Sequence, residues 1–301
     1  GLPASLVLNR AVPGPGASFA NRQARRPDPL VSNHLRVANA SDGNYRGLQI
    51  SVERRYTRGL QYQVSYTWGR SLDMASDAGF GSGDIWFSMQ YDVDQILAER
   101  GDNGPRKADL YGPSRFDMRH VASVNFSYEL PWRRQGGLRA LASDWIVAGT
   151  FYYRDGVPVS VFCGESAGDC NLDGVSQDRP HLLDPSVEGR RFTQKPRTPA
   201  DTQIVHLPPA AFDERIEPGG RGSLGRNRFR LDDFATLDLA VVREIPTVAG
   251  QRAQLRLEVY NVFNNTFAGM PGLSLADLST FGRITSVGGN RSIQVAAKYL
   301  W

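Results

Sequence analysis

The sequence predicts an all-β protein, an antiparallel up-and-down β-barrel that spans a membrane. Three observations carry this prediction. Seven stretches alternate apolar and polar residues at period two, which gives a strand one greasy and one wet face. The links between them alternate short and long, as turns on one side and loops on the other do in a barrel of the outer-membrane kind. No run of about 18 apolar residues occurs, which excludes a spanning helix but not a spanning strand, for which about 10 alternating residues suffice.

The clearest pair of strands comes first and is joined at Thr57, Arg58 and Gly59, where Gly59 supplies the positive φ of a tight hairpin. Leu48, Ile50, Val52 and Tyr56 are expected on one face of the first strand, with Gln49, Ser51, Glu53 and Arg55 on the other. In the second strand Leu60, Tyr62, Val64, Tyr66 and Trp68 alternate with Gln61, Gln63, Ser65, Thr67 and Gly69. The third, from about Phe116 to Leu130, sets Ala122, Val124, Phe126 and Tyr128 against Ser123, Asn125, Ser127 and Glu129. The fourth, Trp145 to Tyr153, is apolar on both faces, so its β-branched and aromatic content identifies a strand but leaves its orientation open. The fifth opposes Leu237, Leu239 and Val241 to Thr236, Asp238 and Ala240. The sixth opposes Leu255, Leu257 and Val259 to Gln254, Arg256 and Glu258. In the last, Ile293, Val295, Ala297, Tyr299 and Trp301 alternate with Ser292, Gln294, Ala296 and Lys298, and Val31 to Ala40 is a candidate eighth.

Short links come after Tyr56, Leu130 and Ile245; long ones come after Ser71, Arg154 and Phe263. The long loops, about 72–114, 156–232 and 264–290, are therefore expected outside the cell, with the chain end in the periplasm. A soluble sandwich would not need a long link at every second connection, and its polar face would carry more Lys and Glu. Seven or eight strands sit at or below the smallest bacterial barrel, and an open edge in lipid leaves backbone groups unpaired, so further strands are expected before Gly1. The opening residues lack the pattern of a signal peptide, and the chain is expected to be a fragment.

The 301 residues are 41% hydrophobic and 22% charged, and the formal charge of +4 is dispersed rather than gathered into a basic tract, so nucleic acid is not an expected partner. The two cysteines, Cys163 and Cys170, are spaced to close a small disulfide loop; the alternative is a pair of reduced loop thiols. Asp169, Asn171, Asp173 and Asp178 put oxygen side chains at near-alternate positions around Gly174, as calcium loops do. An EF-hand is excluded because Pro180 stands at the twelfth position. The alternative is an Asx-rich turn that caps its own backbone, with no cofactor at all.

Gly220, Gly222 and Gly225 have the spacing of a dinucleotide fingerprint but lack the strand and helix that such a site needs, and the glycines at 79, 81 and 83 lie mid-loop. His34, His120, His181 and His206 are too scattered for a zinc site. Ser114 with His120 lacks an orienting third group, and the protein is not expected to be an enzyme. Tyr56, Tyr62, Tyr66, Trp68, Tyr128, Trp132, Tyr299 and Trp301 lie near strand ends or on the apolar face, where amphipathic rings favour the headgroup level. Trp86, Phe87 and Tyr91 form a dense aromatic cluster in a long loop and are the candidates for ligand contact.

Several segments resemble the C-terminal barrel of TonB-dependent outer-membrane receptors of the Oar-like type. They are Asn44 to Gln49 (NYRGLQ), Tyr66 to Asp73 (YTWGRSLD), Arg115 to His120 (RFDMRH), Gly222 to Asn227 (GSLGRN), Glu258 to Asn265 (EVYNVFNN), and Phe281-Gly282-Arg283 leading to Arg291 to Gln294. Their order and spacing, rather than any one of them, carry the resemblance, which runs through most of the chain. It implies a C-terminal section of about 7–8 strands from a barrel of about 22, with the plug domain and the TonB-contacting segment lying N-terminal of this chain. It further implies outer-membrane lipid, the barrel-assembly machinery, the TonB complex and an unidentified extracellular ligand as partners, with Trp301 as a terminal aromatic of the kind that marks chains for barrel insertion. The competing expectation is a structural or adhesive outer-membrane barrel without active transport.

Overall fold

A computed structural model describes residues 2–9, 11–12, 14–32, 34–74, 76, 89–90, 111–132, 143–174, 176, 178–193, 204–247 and 251–300. Seven long strands build one antiparallel sheet: β1 Gly43–Thr57, β2 Leu60–Asp73, β3 His120–Glu129, β4 Trp145–Arg154, β5 Phe234–Pro246, β6 Arg252–Tyr260 and β7 Ser292–Leu300. Each pairs with its neighbours in sequence, so the sheet is a plain meander from β1 to β7, with Gly112–Pro113 adding a short strand on β2. All seven coincide with the strands expected from the sequence, six from alternation and the fourth from its β-branched and aromatic content.

The register carries that alternation sideways. Val52, Val64, Val124, Phe151 and Leu237 are paired in a row across five strands, and the adjacent row is Glu53, Gln63, Asn125, Thr150 and Asp238. The ambiguous strand is thereby oriented, because Phe151 is fixed between Val124 and Leu237 while Thr150 joins the polar row. Leu48, Ile50, Val52, Leu255 and Leu257 all lie exposed on the apolar face. No described element packs over them, as expected for a surface whose solvent is lipid.

One placement differs from the expectation. The register slips by a residue between Arg54 and Thr57, a β-bulge that reverses the facing of the residues beyond it. Tyr56 therefore leaves the apolar face of Leu48, Ile50 and Val52, and its hydroxyl donates to Glu129 Oε2 at 2.7 Å. The turn beyond is the expected one, with Arg58 and Gly59 both at positive φ (54° and 81°).

The candidate eighth strand also differs. His34–Ser41 is a strand, but it pairs antiparallel with Leu2–Leu8, in a small sheet of its own, and only Asp42 separates it from β1. Period two identifies a strand but not its neighbour, and here an unrecognised partner lies at the start of the chain.

The short links close one end of the sheet, where Thr57 pairs with Leu60 and Pro246 with Arg252. At the other end the described parts of the segments 156–232 and 264–290 are not open loops. They fold together into a cap with its own hydrophobic core, in which Val161, Phe192, Leu207, Phe229, Phe281 and Ile284 are buried. Phe212 packs edge-on against both Phe229 and Phe281, with ring centroids 6.0 and 5.6 Å apart. The two segments are stitched by backbone bonds, Phe162 N–H to Leu273 O at 2.8 Å and Leu275 N–H to Phe162 O at 3.0 Å. Among the described residues no helix is long and apolar enough to cross a membrane.

Candidate functional site

Three places carry polar groups that a plain wall would not need: the inner face of the sheet, the rim where cap meets wall, and a buried acidic loop in the cap. The inner face encloses a concavity of about 540 Å³ lined by Glu53, Gln63, Asn125, Thr150, Asp238 and Glu258 among others. Neutral amides and hydroxyls dominate its centre, and Thr150 donates to Asn125 at 3.0 Å. Such a lining is wetted without strongly selecting one sign of charge.

At the rim, two arginines of the segment before β5 reach two carboxylates beside β2 and β3. Arg226 pairs with Asp73 at the outer end of β2, and Ser76 donates to the same carboxylate at 2.9 Å. Arg230 pairs with Asp117 and also donates to the carbonyls of Asp117 (2.8 Å) and Gly156 (3.0 Å). Asp117 Oδ1 accepts from the Ser71 backbone N–H at 2.8 Å, so a single buried carboxylate ties β2, the lead-in to β3 and the cap together. Asn227 extends the join, donating to Pro113 O at 2.8 Å while its own N–H reaches Ser160 Oγ at 2.9 Å. Both carboxylates are answered by groups of the protein itself, so the rim is an anchor rather than a ligand site.

The rim explains several of the segments behind the resemblance. Arg115 to His120 supplies Asp117, and Gly222 to Asn227 supplies Arg226 and Asn227. In Asn44 to Gln49, Gly47 pairs with Gly69, and the Tyr45 ring covers both where no side chain would fit. In Glu258 to Asn265, Asn261 at φ 54° receives the Asn265 N–H at 3.0 Å and gives its own N–H to Asp238 at 2.7 Å, turning the chain out of β6.

The acidic loop brings the four expected oxygen residues into one buried turn. Asp169, Asn171, Asp173 and Asp178 are all buried. Asp169 Oδ2 accepts from Gly174 N–H (3.0 Å), Asn171 Oδ1 from Asp173 N–H (3.0 Å), and Asp178 Oδ2 from Asn171 N–H (3.0 Å). Asp169 Oδ1 has no hydrogen-bond partner. Burial, and then the charge of Asp173, push the Asp169 carboxyl up to about 6.

Beside this loop Cys163 and Cys170 are buried and free, and their sulfurs and a Glu214 oxygen lie within 4.8 Å of one another. The Cys170 contact first, and then burial, hold the Cys163 thiol far above its ordinary range. The Glu214 carboxylate accepts from the backbone N–H groups of Gly164 and Glu165.

The other candidates are placed apart from these sites. His120 Nδ1 lies 2.7 Å from the Tyr66 hydroxyl, while Ser114 Oγ accepts from Phe116 N–H, so each has a different partner. His181 Nδ1 accepts from Ser223 N–H at 3.1 Å, and the His206 ring packs on Phe192 with centroids 5.1 Å apart. Trp86, Phe87, Tyr91 and Trp301 lie outside the described residues. Spacing does not single out Asp73, Asp117, Arg226 or Arg230, since each ion pair joins residues more than a hundred positions apart.

A family model described as an outer membrane beta barrel domain matches residues 1–294. The chain belongs to this family. It is thus an outer-membrane protein, and the exposed apolar face of the β-barrel domain meets lipid. No curated protein sequence matches the chain. Among solved structures, that of P. aeruginosa FpvA bound to heterologous pyoverdines as an iron complex is similar, with a TM-score of 0.40 and 13% identity. The match covers 98% of this chain and 23% of FpvA, so the chain spans about a quarter of that protein's length.

Proposed function

We propose that this chain forms part of the barrel wall and the extracellular loops of a TonB-dependent receptor of the Oar-like type, which takes up a ligand from outside the cell. The observation that supports this reading is the cap. A barrel that only spans a membrane needs no buried core among its outer links, whereas a receptor needs a rigid surface over a wet interior. Here that surface is fastened to the rim by two buried Asp–Arg pairs above a polar-lined wall. Among the described residues β1 and β7 each pair with a neighbour on one side only, and backbone groups in lipid require partners, so further strands complete the wall. Trp86, Phe87 and Tyr91 are the residues proposed to touch the ligand, and Trp301 the signal read by the barrel-assembly machinery.

Growth under nutrient scarcity tests the reading, comparing single deletions of this protein and of TonB with the double deletion. A receptor predicts that the double deletion grows no worse than the TonB deletion alone. An additive defect, or a loss of surface attachment that persists without TonB, would instead mean a structural or adhesive barrel.

A further inference from the structure

Cys163 and Cys170 are both buried, and their sulfurs lie within 4.8 Å of one another. The chain between them turns back through the short 3-10 turn Glu165–Gly168, with Ser166 and Gly168 at positive φ (51° and 86°) and Asp169 N–H bonded to Ser166 O at 3.2 Å. The further contacts of Cys170 Sγ are long, 3.6 Å to Glu165 O and 4.0 Å to Glu214 Oε1, so little is lost if the sulfur bonds elsewhere. A chain bound for the outer membrane crosses the periplasm, an oxidising compartment in which neighbouring thiols are converted to disulfides. We propose that Cys163 and Cys170 form an intrachain disulfide that closes an eight-residue loop in the cap.

Each thiol gives up its proton, and the two sulfurs together release two electrons as the S–S bond forms. The acceptor is the disulfide of a periplasmic thiol oxidase, which leaves as a dithiol. This exchange precedes folding of the cap. Once the cap is folded, the contact with Cys170 and then burial, joined by the charges of Asp178 and Glu214, raise the Cys163 thiol far above its ordinary range, so little thiolate remains to attack. In the unfolded chain only six residues separate the pair, and so short a loop closes readily. The same surroundings argue against a metal ion. A structural zinc ion takes four donors and needs both sulfurs as thiolates. The described residues bring three donors together, and one of them, the Glu214 carboxylate, already accepts from the N–H groups of Gly164 and Glu165.

The bond would fasten two parts of the cap to each other. Cys163 follows the stretch stitched to Leu273 and Leu275; its carbonyl accepts from Ser274 Oγ at 3.3 Å and its N–H donates to Asp178 O at 2.8 Å. Cys170 opens the acidic turn, where Asn171 O accepts from Gly219 N–H (2.7 Å), Leu172 O from the Arg25 side chain (2.7 Å) and Asp173 O from Ala11 N–H (2.6 Å). Linking the sulfurs therefore holds residues 11–25 and 219 to the stitched core through one covalent bond. This link belongs to the cap alone and does not depend on transport.

The test begins with cells quenched in acid, after which the free thiols of the unfolded protein are alkylated and its tryptic peptides are weighed before and after reduction. No Lys or Arg lies between Cys163 and Cys170, so both stay on one peptide. That peptide should be unalkylated and lighter than the dithiol by two hydrogen atoms, and it should accept two alkyl groups once reduced. Alkylation of both cysteines before reduction, whether or not the native protein also releases zinc, would overturn the bond, as would linkage of either cysteine to another peptide. The second measurement is protease cleavage between residues 160 and 180 in isolated outer membranes. Cys163→Ala, Cys170→Ala and the double variant should each be cut about 10- to 100-fold faster than the unaltered chain. All three factors should be equal, since each variant loses the same bond. Single effects that multiply in the double variant would mean two independent packing contacts and would overturn the link.

Discussion

In the wall the large aliphatic side chains face outward, and Ile293 and Val295 of β7 are 64% and 77% exposed; in the cap, Phe229 and Phe281 are fully enclosed. The same chain thus obeys two opposite rules of burial a short distance apart. Each rule is the ordinary hydrophobic rule applied to a different solvent. Lipid tails cover β1 to β7, so polar residues gather inside, whereas water covers the cap, so apolar residues gather inside and charges pair up. The boundary between the two is the rim, where Asp73 and Asp117 meet Arg226 and Arg230.

The sharpest way to break this division is to cut the rim. Asp117 is 1% exposed, and removing it leaves the Arg230 guanidinium enclosed without its counter-charge. Asp117→Ala should cost about 3 to 5 kcal/mol, the usual penalty for orphaning a buried charge, concentrated in cap docking because the pairing between strands keeps its backbone bonds and the wall loses only the acceptor of the Ser71 N–H at the outer end of β2. The expected readout is cleavage within 156–232 while the protease-resistant wall persists. Loss of the wall together with the cap would mean that the two do not form separable units.

A smaller effect is expected on the wall itself, where the two faces are compared directly. Lysine at Val64, in the apolar row, should cost about 2 to 4 kcal/mol near the bilayer midplane, whereas lysine at Gln63, one residue away in the polar row, should cost little. Folding yield into lipid vesicles measures both. Equal tolerance of the two substitutions would invert or abolish the assignment of faces.

The same division governs how much of the molecule is legible in its sequence. β1 to β7 can be read because lipid on one side and water on the other impose a strict period of two. β4 alone hides its orientation, since Ile146 and Ala148 are apolar on the wet face, and only its pairing with β3 and β5 resolves it. The cap cannot be read, because its core gathers Val161, Phe192, Leu207, Phe229 and Phe281 from irregular spacings in two loops. The acidic turn is visible since its oxygens lie within ten residues, but Arg22 and Arg26, more than 140 positions away, are not. Similarly, Asp117 lies in a segment that carries part of the resemblance read from the sequence, while its partner Arg230 has no local signal.

The smallest expected effect concerns the bulge, which among the described residues is the place where the period of two misplaces a side chain. Strict alternation sets Tyr56 beside Val52 in lipid; the slip after Arg54 instead turns it to the wet face, where it reaches Glu129. Because this bond is exposed to water, Tyr56→Phe should cost only about 1 kcal/mol, too little to separate the two placements by stability. Labelling separates them. Cysteine at Tyr56 should react with a water-soluble maleimide in outer membranes opened to the reagent on both sides, and cysteine at Val52 should not, with the unaltered chain setting the background of Cys163 and Cys170. If both positions are equally protected, the ladder runs without a bulge and Tyr56 belongs to the headgroup belt; if only Val52 is protected, the wall turns its face within three residues of its hairpin.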